Sequence, residues 1–126
     1  MNILGVFLPL IILTGSYLNL NEYRLSQGKG MLYHKSCLAD SAQERAFKIY
    51  TGQSEWSHLG YKATIKKFCP KSKHMGEVLA RKANSFDGSL EAWKKSPSHK
   101  RVILQPFTSF GIGSFGDVYV INFNTE

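Results

Sequence analysis

The clearest periodic pattern of apolar residues lies between Cys37 and Tyr50. Its apolar residues follow one another at intervals of four, four and three, which places them on one face of an α-helix. The pattern predicts a helix with a single buried stripe. Asp40, Glu44 and Lys48 fall on the opposite side, and Glu44 to Lys48 is the favourable order for an ion pair one turn apart. Ser36 is expected to cap this helix. The stripe consists of Leu38, Ala42, Ala46 and Ile49.

Weaker patterns predict three shorter helices, over residues 17–27, over residues 61–68 and from residue 88 to about 96. Gly28 and Pro70 follow the first two, and both residue types often stand just beyond a helix end. Asp87 is expected to cap the third helix. That helix should end near Ser96, because a proline disfavours helical geometry at the residue before it.

Three segments have the character of β-strands: 76–81, 110–114 and 118–123. In the first, Val78 should face away from Glu77, because successive side chains of a strand point to opposite faces. A turn within 114–117 should join the last two as a hairpin. Helices that flank a small, mainly antiparallel sheet indicate an α+β chain built as a three-layer α/β/α sandwich.

The first sixteen residues carry no charge, and Ile3 to Leu13 is apolar apart from a glycine and a proline. Eleven residues are too few for a membrane-spanning helix, which needs about 20. The run matches the apolar region of a signal peptide, although no Lys or Arg precedes it; a buried N-terminal helix and an uncleaved anchor remain alternatives. We therefore divide the chain into residues 1–16, a signal peptide or N-terminal hydrophobic segment, and 17–126, a single domain that is secreted or held in the cell envelope.

The chain has two cysteines, Cys37 and Cys69, so only one intramolecular bridge is possible. A disulfide suits an exported protein, whereas in the cytosol both residues would be small core side chains. Neither belongs to a C-x-x-C pair, which removes support for a zinc knuckle or a redox motif.

The formal net charge of +7 favours anionic partners. The densest basic stretch runs from Lys62 to Lys73 and contains five lysines. Aromatic residues are not interleaved with them as single-stranded nucleic acid would require, so nucleic acid is a disfavoured partner and a solvated face is the ordinary explanation.

Three residues are candidates for chemistry: His58, Glu77 and His99. Two imidazoles and a carboxylate could hold Zn²⁺ or another divalent metal with one position open, or they could transfer protons near neutral pH. Their spacing matches no local motif such as H-E-x-x-H. On the residues alone, hydrogen-bonded structural histidines and an ion-paired glutamate remain the favoured interpretation. His34 and His74 are expected to be ordinary surface residues.

Six sequence blocks, in order between residues 17 and 124, resemble the bacterial, SCP-like branch of the CAP superfamily (cysteine-rich secretory protein, antigen 5 and pathogenesis-related 1). The most specific is the Trp-x-x-Ser-Pro-x-His pattern at residues 93–99. The other blocks are Asn21-x-x-Arg24 with Gly28, the Leu38–Ala42–Ala46 rhythm, Ser57-His58, Gly76-Glu77-Val78-Leu79-Ala80, and the run from Phe107 to Gly113 with its closing strand.

The resemblance implies an α/β/α sandwich with a cleft lined by His58, Glu77 and His99. In eukaryotic members a second glutamate follows the tryptophan by about three residues and completes a His/Glu tetrad, but Ser96 stands at that position here. Val78 and Ile121 replace a common asparagine and glutamine, and both changes are expected to remove polar groups from the cleft region.

These observations favour a secreted, monomeric and non-catalytic binding domain, whose extracellular ligand is a protein, a lipid or an anionic envelope polymer. The alternative is a hydrolase of the peptidase type, with His99 as metal ligand or general base, Glu77 as ligand or proton acceptor, and His58 as ligand. A third possibility is an adhesive protein that binds anionic polymer or nucleic acid through residues 62–73.

Overall fold

A four-stranded sheet with helices on both faces forms the domain. The structure is a computed structural model that describes the backbone of residues 3–126 and the side chains of residues 15–126. In chain order the elements are α1 (Ile3–Ser26), β1 (Tyr33–His34), α2 (Ser36–Tyr50), α3 (Tyr61–Phe68), β2 (Met75–Ala80), α4 (Phe86–Lys95), α5 (Pro97–Ile103), β3 (Ser109–Phe115) and β4 (Val118–Asn124).

The strands lie in the order β1-β3-β4-β2. The short strand β1 runs parallel to β3, and the other two pairings are antiparallel. The register sets Asn122 between Glu77 on one side and Gly111 on the other. Directly paired residues of neighbouring strands share a face of the sheet, so Glu77 and Asn122 point the same way.

The two faces of the sheet carry separate apolar cores. Ala42 and Ala46 of α2 pack on one face, while Leu90 and Trp93 of α4 belong to the larger core on the other face. The larger core takes Val78, Phe110, Ile121 and Phe123 from the sheet, and the smaller one takes Leu79, Val118 and Val120. The predicted three-layer sandwich is confirmed, with α2 and α3 in one outer layer and α1, α4 and α5 in the other.

Helix α2 lies very close to β3 because two glycines face it. A Cβ atom at Gly111 would stand 2.0 Å from the backbone nitrogen of Ala39, and one at Gly113 would stand 2.3 Å from the carbonyl carbon of Ala42. Only the lack of a side chain permits this approach. This close packing fixes the distance between α2 and the sheet. It therefore determines which residues of the sheet the polar side chains of α2 can contact.

Helix α1 is held to the rest of the domain by Asn21 and Arg24. The Asn21 side chain donates to the Leu32 carbonyl at 3.0 Å and accepts from the Leu32 N–H at 2.7 Å. Arg24 donates to the carbonyls of Gly30 and Gln105, each at 2.9 Å. The Asn-x-x-Arg block is therefore a structural clamp on two backbone segments.

Cys37 and Cys69 form a disulfide between the start of α2 and the residue that follows α3, with Cα atoms 5.6 Å apart. The two cysteines are therefore bridged rather than free core side chains. It ties the two helices of one outer layer together at the end where Leu38 and Ile65 pack.

The N-terminal helix begins earlier than its predicted start at residue 17. Its backbone is helical from Ile3, without a break at residues 14–16. The predicted signal peptide comprises residues 1–16. Met1 and Asn2 lie outside the described residues, and the side chains through residue 14 are not described. Among the described helices, none combines the length and the apolar character needed to cross a membrane.

Several predicted helix ends were wrong. Lys35, rather than Ser36, occupies the N-cap of α2, and the Ser85 hydroxyl caps α4 by accepting from the Gly88 N–H. The prediction treated Pro97 only as a helix stop. In the structure Pro97 is also the first residue of α5, a position where its missing N–H costs nothing.

Candidate functional site

Glu77 is the centre of a buried polar cluster between α2 and the sheet. It lies within β2 on the face that α2 covers, and its side chain is 0% exposed. A carboxylate removed from water to this extent must be paired and hydrogen-bonded to be tolerated.

Arg45 of α2 provides that pairing. Its Nε donates to Glu77 Oε2 at 2.8 Å and its Nη2 donates to Oε1 at 2.7 Å, a bidentate arrangement. The Arg45 side chain is only 3% exposed. The planar fork of guanidinium matches a carboxylate in this geometry, which a lysine could not reproduce.

Asn122 and His58 supply two further contacts to the carboxylate. Asn122 Nδ2 donates to Glu77 Oε2 at 2.9 Å, and its own oxygen accepts from the Ser41 hydroxyl at 2.7 Å. His58 Nδ1 lies 3.0 Å from Glu77 Oε1. Each oxygen of Glu77 therefore has two partners, which fills the acceptor positions of a carboxylate.

The loop that carries His58 is fastened to the same arginine. Arg45 Nη2 donates to the Ser57 carbonyl at 2.7 Å, and Nη1 donates to the Leu59 carbonyl at 3.1 Å. The bound carbonyls come from the residues on either side of His58. One guanidinium thus positions both the imidazole and the carboxylate that the imidazole contacts.

Tyr61 borders His58 on the side of α3. The two rings meet edge to face with centroids 6.0 Å apart, and the Tyr61 hydroxyl donates to the Met75 carbonyl at 3.2 Å. Burial, assisted by the negative charge of Glu77, raises the pKa of the Tyr61 hydroxyl. Tyr61 is therefore a neutral wall of the site.

His99 lies near His58 but has a different partner. It occupies the first turn of α5, half-buried, with Nδ1 2.8 Å from the Ser96 hydroxyl oxygen. Burial lowers the pKa of His99, and the neighbouring His58 lowers it further. Within residues 15–126, no hydrogen bond joins His99 to Glu77. Ser96, at the position of the expected glutamate, instead contacts His99 directly.

The predicted set of three metal ligands does not fit this geometry. Both oxygens of Glu77 are committed to Arg45, Asn122 and His58, so a metal ion would have to displace a donor. Among the described residues there is no grouping of three or more His, Cys, Asp or Glu side chains arranged to hold a metal ion. The two imidazoles alone could offer two ligands, fewer than the three protein ligands of an ordinary catalytic zinc site.

Arg45, Asn122 and Ser41 were not predicted as residues of the site. The predicted position of Val78 and Ile121 in the cleft region was wrong, because both side chains lie in the core on the opposite face of the sheet. The available signal was the helix itself: Ser41 and Arg45 are one turn apart and adjoin the stripe containing Ala42 and Ala46. This position beside the stripe places both side chains near the sheet, but it does not distinguish a buried charge from a solvated one.

The comparisons with known proteins agree with this fold. The sequence profile of the cysteine-rich secretory protein family, CAP, matches residues 17–117. The chain belongs to the CAP family. A search of curated proteins finds no match.

Three solved structures resemble this CAP domain. An extracellular protein with an SCP domain from Bacillus anthracis aligns with a TM-score of 0.83 and 19% identity, over 90% of this chain and 40% of the other. An outer surface protein of Borrelia burgdorferi aligns with a TM-score of 0.78 and 20% identity, over 90% of this chain and 92% of the other. A cysteine-rich secretory protein of Staphylococcus aureus aligns with a TM-score of 0.79 and 20% identity, over 94% of this chain and 39% of the other.

At this level of identity the likeness concerns the fold. This CAP chain spans about 40% of the length of the Bacillus and Staphylococcus proteins. It spans almost all of the Borrelia protein.

Proposed function

We propose that this protein is a secreted or envelope-associated CAP domain that binds an extracellular ligand and does not catalyse a reaction. The observation that carries the proposal is the complete occupation of the Glu77 carboxylate by Arg45, Asn122 and His58. A general base must have a free lone pair within hydrogen-bond reach of the proton it removes. Glu77 has none to offer, so it cannot be that base, and its role is to hold the site together.

The extracellular assignment is supported by two independent facts. The Cys37–Cys69 disulfide is of the kind that persists in oxidising compartments. Two of the similar structures are described as an extracellular protein and an outer surface protein, and the third as a secretory protein.

The ligand surface that we propose is centred on His58 and His99. The His58 side chain is 51% exposed, while His99 is half-buried on the neighbouring helix. Both rings are held through Nδ1, so their ring edges form fixed polar points on an otherwise ordinary surface. Fixed polar groups of this kind provide specificity for a protein or lipid ligand.

A peptide-library hydrolysis assay tests the absence of catalysis. The unaltered protein and the His99→Ala variant should both release no product above a blank. Hydrolysis that disappears in His99→Ala, while the circular dichroism spectrum is retained, would overturn the proposal and make the domain an enzyme.

A hydrolase remains the second candidate because of one contact. The Ser96 hydroxyl lies 2.8 Å from His99 Nδ1, and the lowered pKa of His99 keeps that imidazole neutral near pH 7, as a general base must be. The same contact also links the N-cap residue of α5 to the side chain three residues later, so it is a local contact at the start of this helix. A hydrolase of this type would lose its turnover in Ser96→Ala and keep it in Ser98→Ala.

An anionic polymer would use a different surface, the lysines of residues 62–73. Lys62, Lys66, Lys71 and Lys73 are exposed there, and Lys67 forms an ion pair with Glu44 at 2.7 Å. Binding of polyphosphate through this face should weaken steeply with added salt. Binding that does not respond to salt would exclude the lysine face as the contact.

A further inference from the structure

Arg45 of α2 joins Glu77 on β2 to the loop between α2 and α3 that carries His58. Four of its N–H donors are used: two on Glu77, one on the Ser57 carbonyl and one on the Leu59 carbonyl. We propose that Arg45 is the positioning residue of the site, and that it fixes His58 with the proton on Nδ1 and an unprotonated Nε2 that the site offers to its ligand. This inference rests on the proposed binding function.

The first step is the charge state of Glu77. Arg45 donates to both carboxylate oxygens, and Asn122 donates to one of them. The Ser41 hydroxyl donates to the Asn122 amide oxygen, which leaves the amide NH₂ group to donate to Glu77. A proton on the carboxyl group would have to displace one of these donors. Glu77 is therefore ionised, and an ionised carboxylate can only accept hydrogen bonds.

The second step is the proton on His58. Its Nδ1 lies 3.0 Å from Glu77 Oε1, which is an acceptor and cannot donate. The contact is a hydrogen bond only if Nδ1 carries hydrogen. In a neutral imidazole with hydrogen on Nδ1, Nε2 has no proton and presents a lone pair.

The third step is the position of the ring. Two of the Arg45 contacts hold the carbonyls immediately before and after His58. The loop is otherwise largely exposed, so these bonds fix the backbone of His58 relative to α2. Glu77 thus orients the imidazole, while the two flanking carbonyls fix the backbone that carries it. Arg45 bonds to Glu77 and to both carbonyls.

The consequence concerns the class of ligand. A neutral imidazole with a free Nε2 lone pair accepts a hydrogen bond, so the ligand group that fits is a donor such as an amide N–H or a hydroxyl. Glu77 adds no uncompensated charge, because Arg45 neutralises it at 2.7–2.8 Å. Backbone amide N–H groups and hydroxyls of a protein ligand therefore match this site, while anions are left to the lysine face.

Long-range ¹H–¹⁵N NMR of the histidine side chains at pH 8 tests the inference in the unaltered protein. It distinguishes the two neutral tautomers directly. A hydrogen bond to a charged acceptor favours one form by roughly tenfold or more, so the His58 signals should show a protonated Nδ1 and an unprotonated Nε2. A predominantly Nε2-protonated His58 would overturn the inference without any variant having to fold.

The Arg45→Lys variant separates positioning from simple charge. It keeps the positive charge but cannot bridge Glu77 and two carbonyls at once, so the His58 signals should shift toward a mixture of tautomers. Lys48→Gln, on the same helix, is the matched control and should leave them unchanged. Unaltered His58 signals in a folded Arg45→Lys protein would show that Arg45 does not set the tautomer. The hydrolysis assay is independent of these signals, so failure of the inference and failure of the proposed function can be told apart.

Discussion

Arg45 on α2 and Glu77 on β2 form a bidentate ion pair at 2.7 and 2.8 Å in the layer between helix and sheet. Their side chains are 3% and 0% exposed. Neither charge can be satisfied by water, so each depends on the other and on Asn122, His58 and two loop carbonyls. The pair thereby couples the stability of the domain to the geometry of its candidate site.

Removing the carboxylate should be costly. Glu77→Ala leaves a buried guanidinium without its counter-charge, and such a loss typically lowers the free energy of unfolding by about 3–5 kcal/mol. Urea denaturation followed by circular dichroism measures it. Glu91→Ala, at a side chain 62% exposed, is the control and should change stability by less than about 0.5 kcal/mol. Equal effects of the two variants would refute the buried pair.

The close approach of α2 to β3 should make Gly111 intolerant of any side chain. In Gly111→Ala the new Cβ would meet the backbone of α2 at 2.0 Å, so helix and strand would have to separate. Overpacking of this kind usually costs about 1–3 kcal/mol, and more where backbone must move. Gly30→Ala, where no atom lies within 4 Å of the added Cβ, is the control. Similar thermal melting of the two variants would contradict the described packing.

Local patterns predicted the parts of the fold that depend on local geometry. The stripe of Leu38, Ala42 and Ala46 identified α2, and alternation identified the two faces of β2, because both follow from the repeat of a single element. The contact between His58 and Glu77 was expected from the family resemblance. That contact depends on the loop before α3 being held to α2 by Arg45 and on β2 lying beneath that helix. Neither relation can be recognised from local sequence spacing.

Arg45 escaped prediction for a physical reason. A charged residue within a helix is usually solvated. Its burial here depends on α3 and the preceding loop, which cover the side of α2 beside the apolar stripe. Helix α5 was missed because Pro97 both ends the geometry of α4 and begins a new helix.

Reduction of the disulfide should destabilise the domain while leaving the fold recognisable. The cysteines are separated by 32 residues, and closing a loop of that length stabilises by about 3–4 kcal/mol in the chain-entropy estimate. For a domain of this size the melting temperature should fall by roughly 10–15 °C. Calorimetry with and without reductant measures it. The Cys37→Ser/Cys69→Ser variant should melt at the temperature of the reduced protein, with or without reductant. A lower melting temperature of that variant in reductant would assign the destabilisation to another cause.

Stability should decrease as the pH falls below the ordinary histidine range, in part because of His34. Contrary to the surface position predicted for it, this residue is half-buried against Phe110, its buried Nε2 has no hydrogen-bond partner in the described part of the chain, and burial lowers its pKa. Between that lowered pKa and the ordinary value of 6.5 the unfolded chain binds the proton more readily, so stability rises with pH across this window and is flat above it. His99 contributes with the same sign.

Urea denaturation at several pH values checks this dependence. His34→Leu should reduce the slope of the unfolding free energy against pH below pH 6.5 and leave the part due to His99. The control His74→Gln, at an exposed residue, should leave the slope unchanged. An unchanged slope in His34→Leu would remove His34 from the explanation.

Calorimetric titration with Zn²⁺ tests most directly whether Glu77 is committed to Arg45. With only two imidazoles left to coordinate, the unaltered protein should show no one-to-one site tighter than about micromolar. The contradicting result is tight, stoichiometric binding by the unaltered protein that is lost both in His58→Ala/His99→Ala and in Glu77→Gln. That pattern would mean that the carboxylate leaves Arg45 to hold a metal ion.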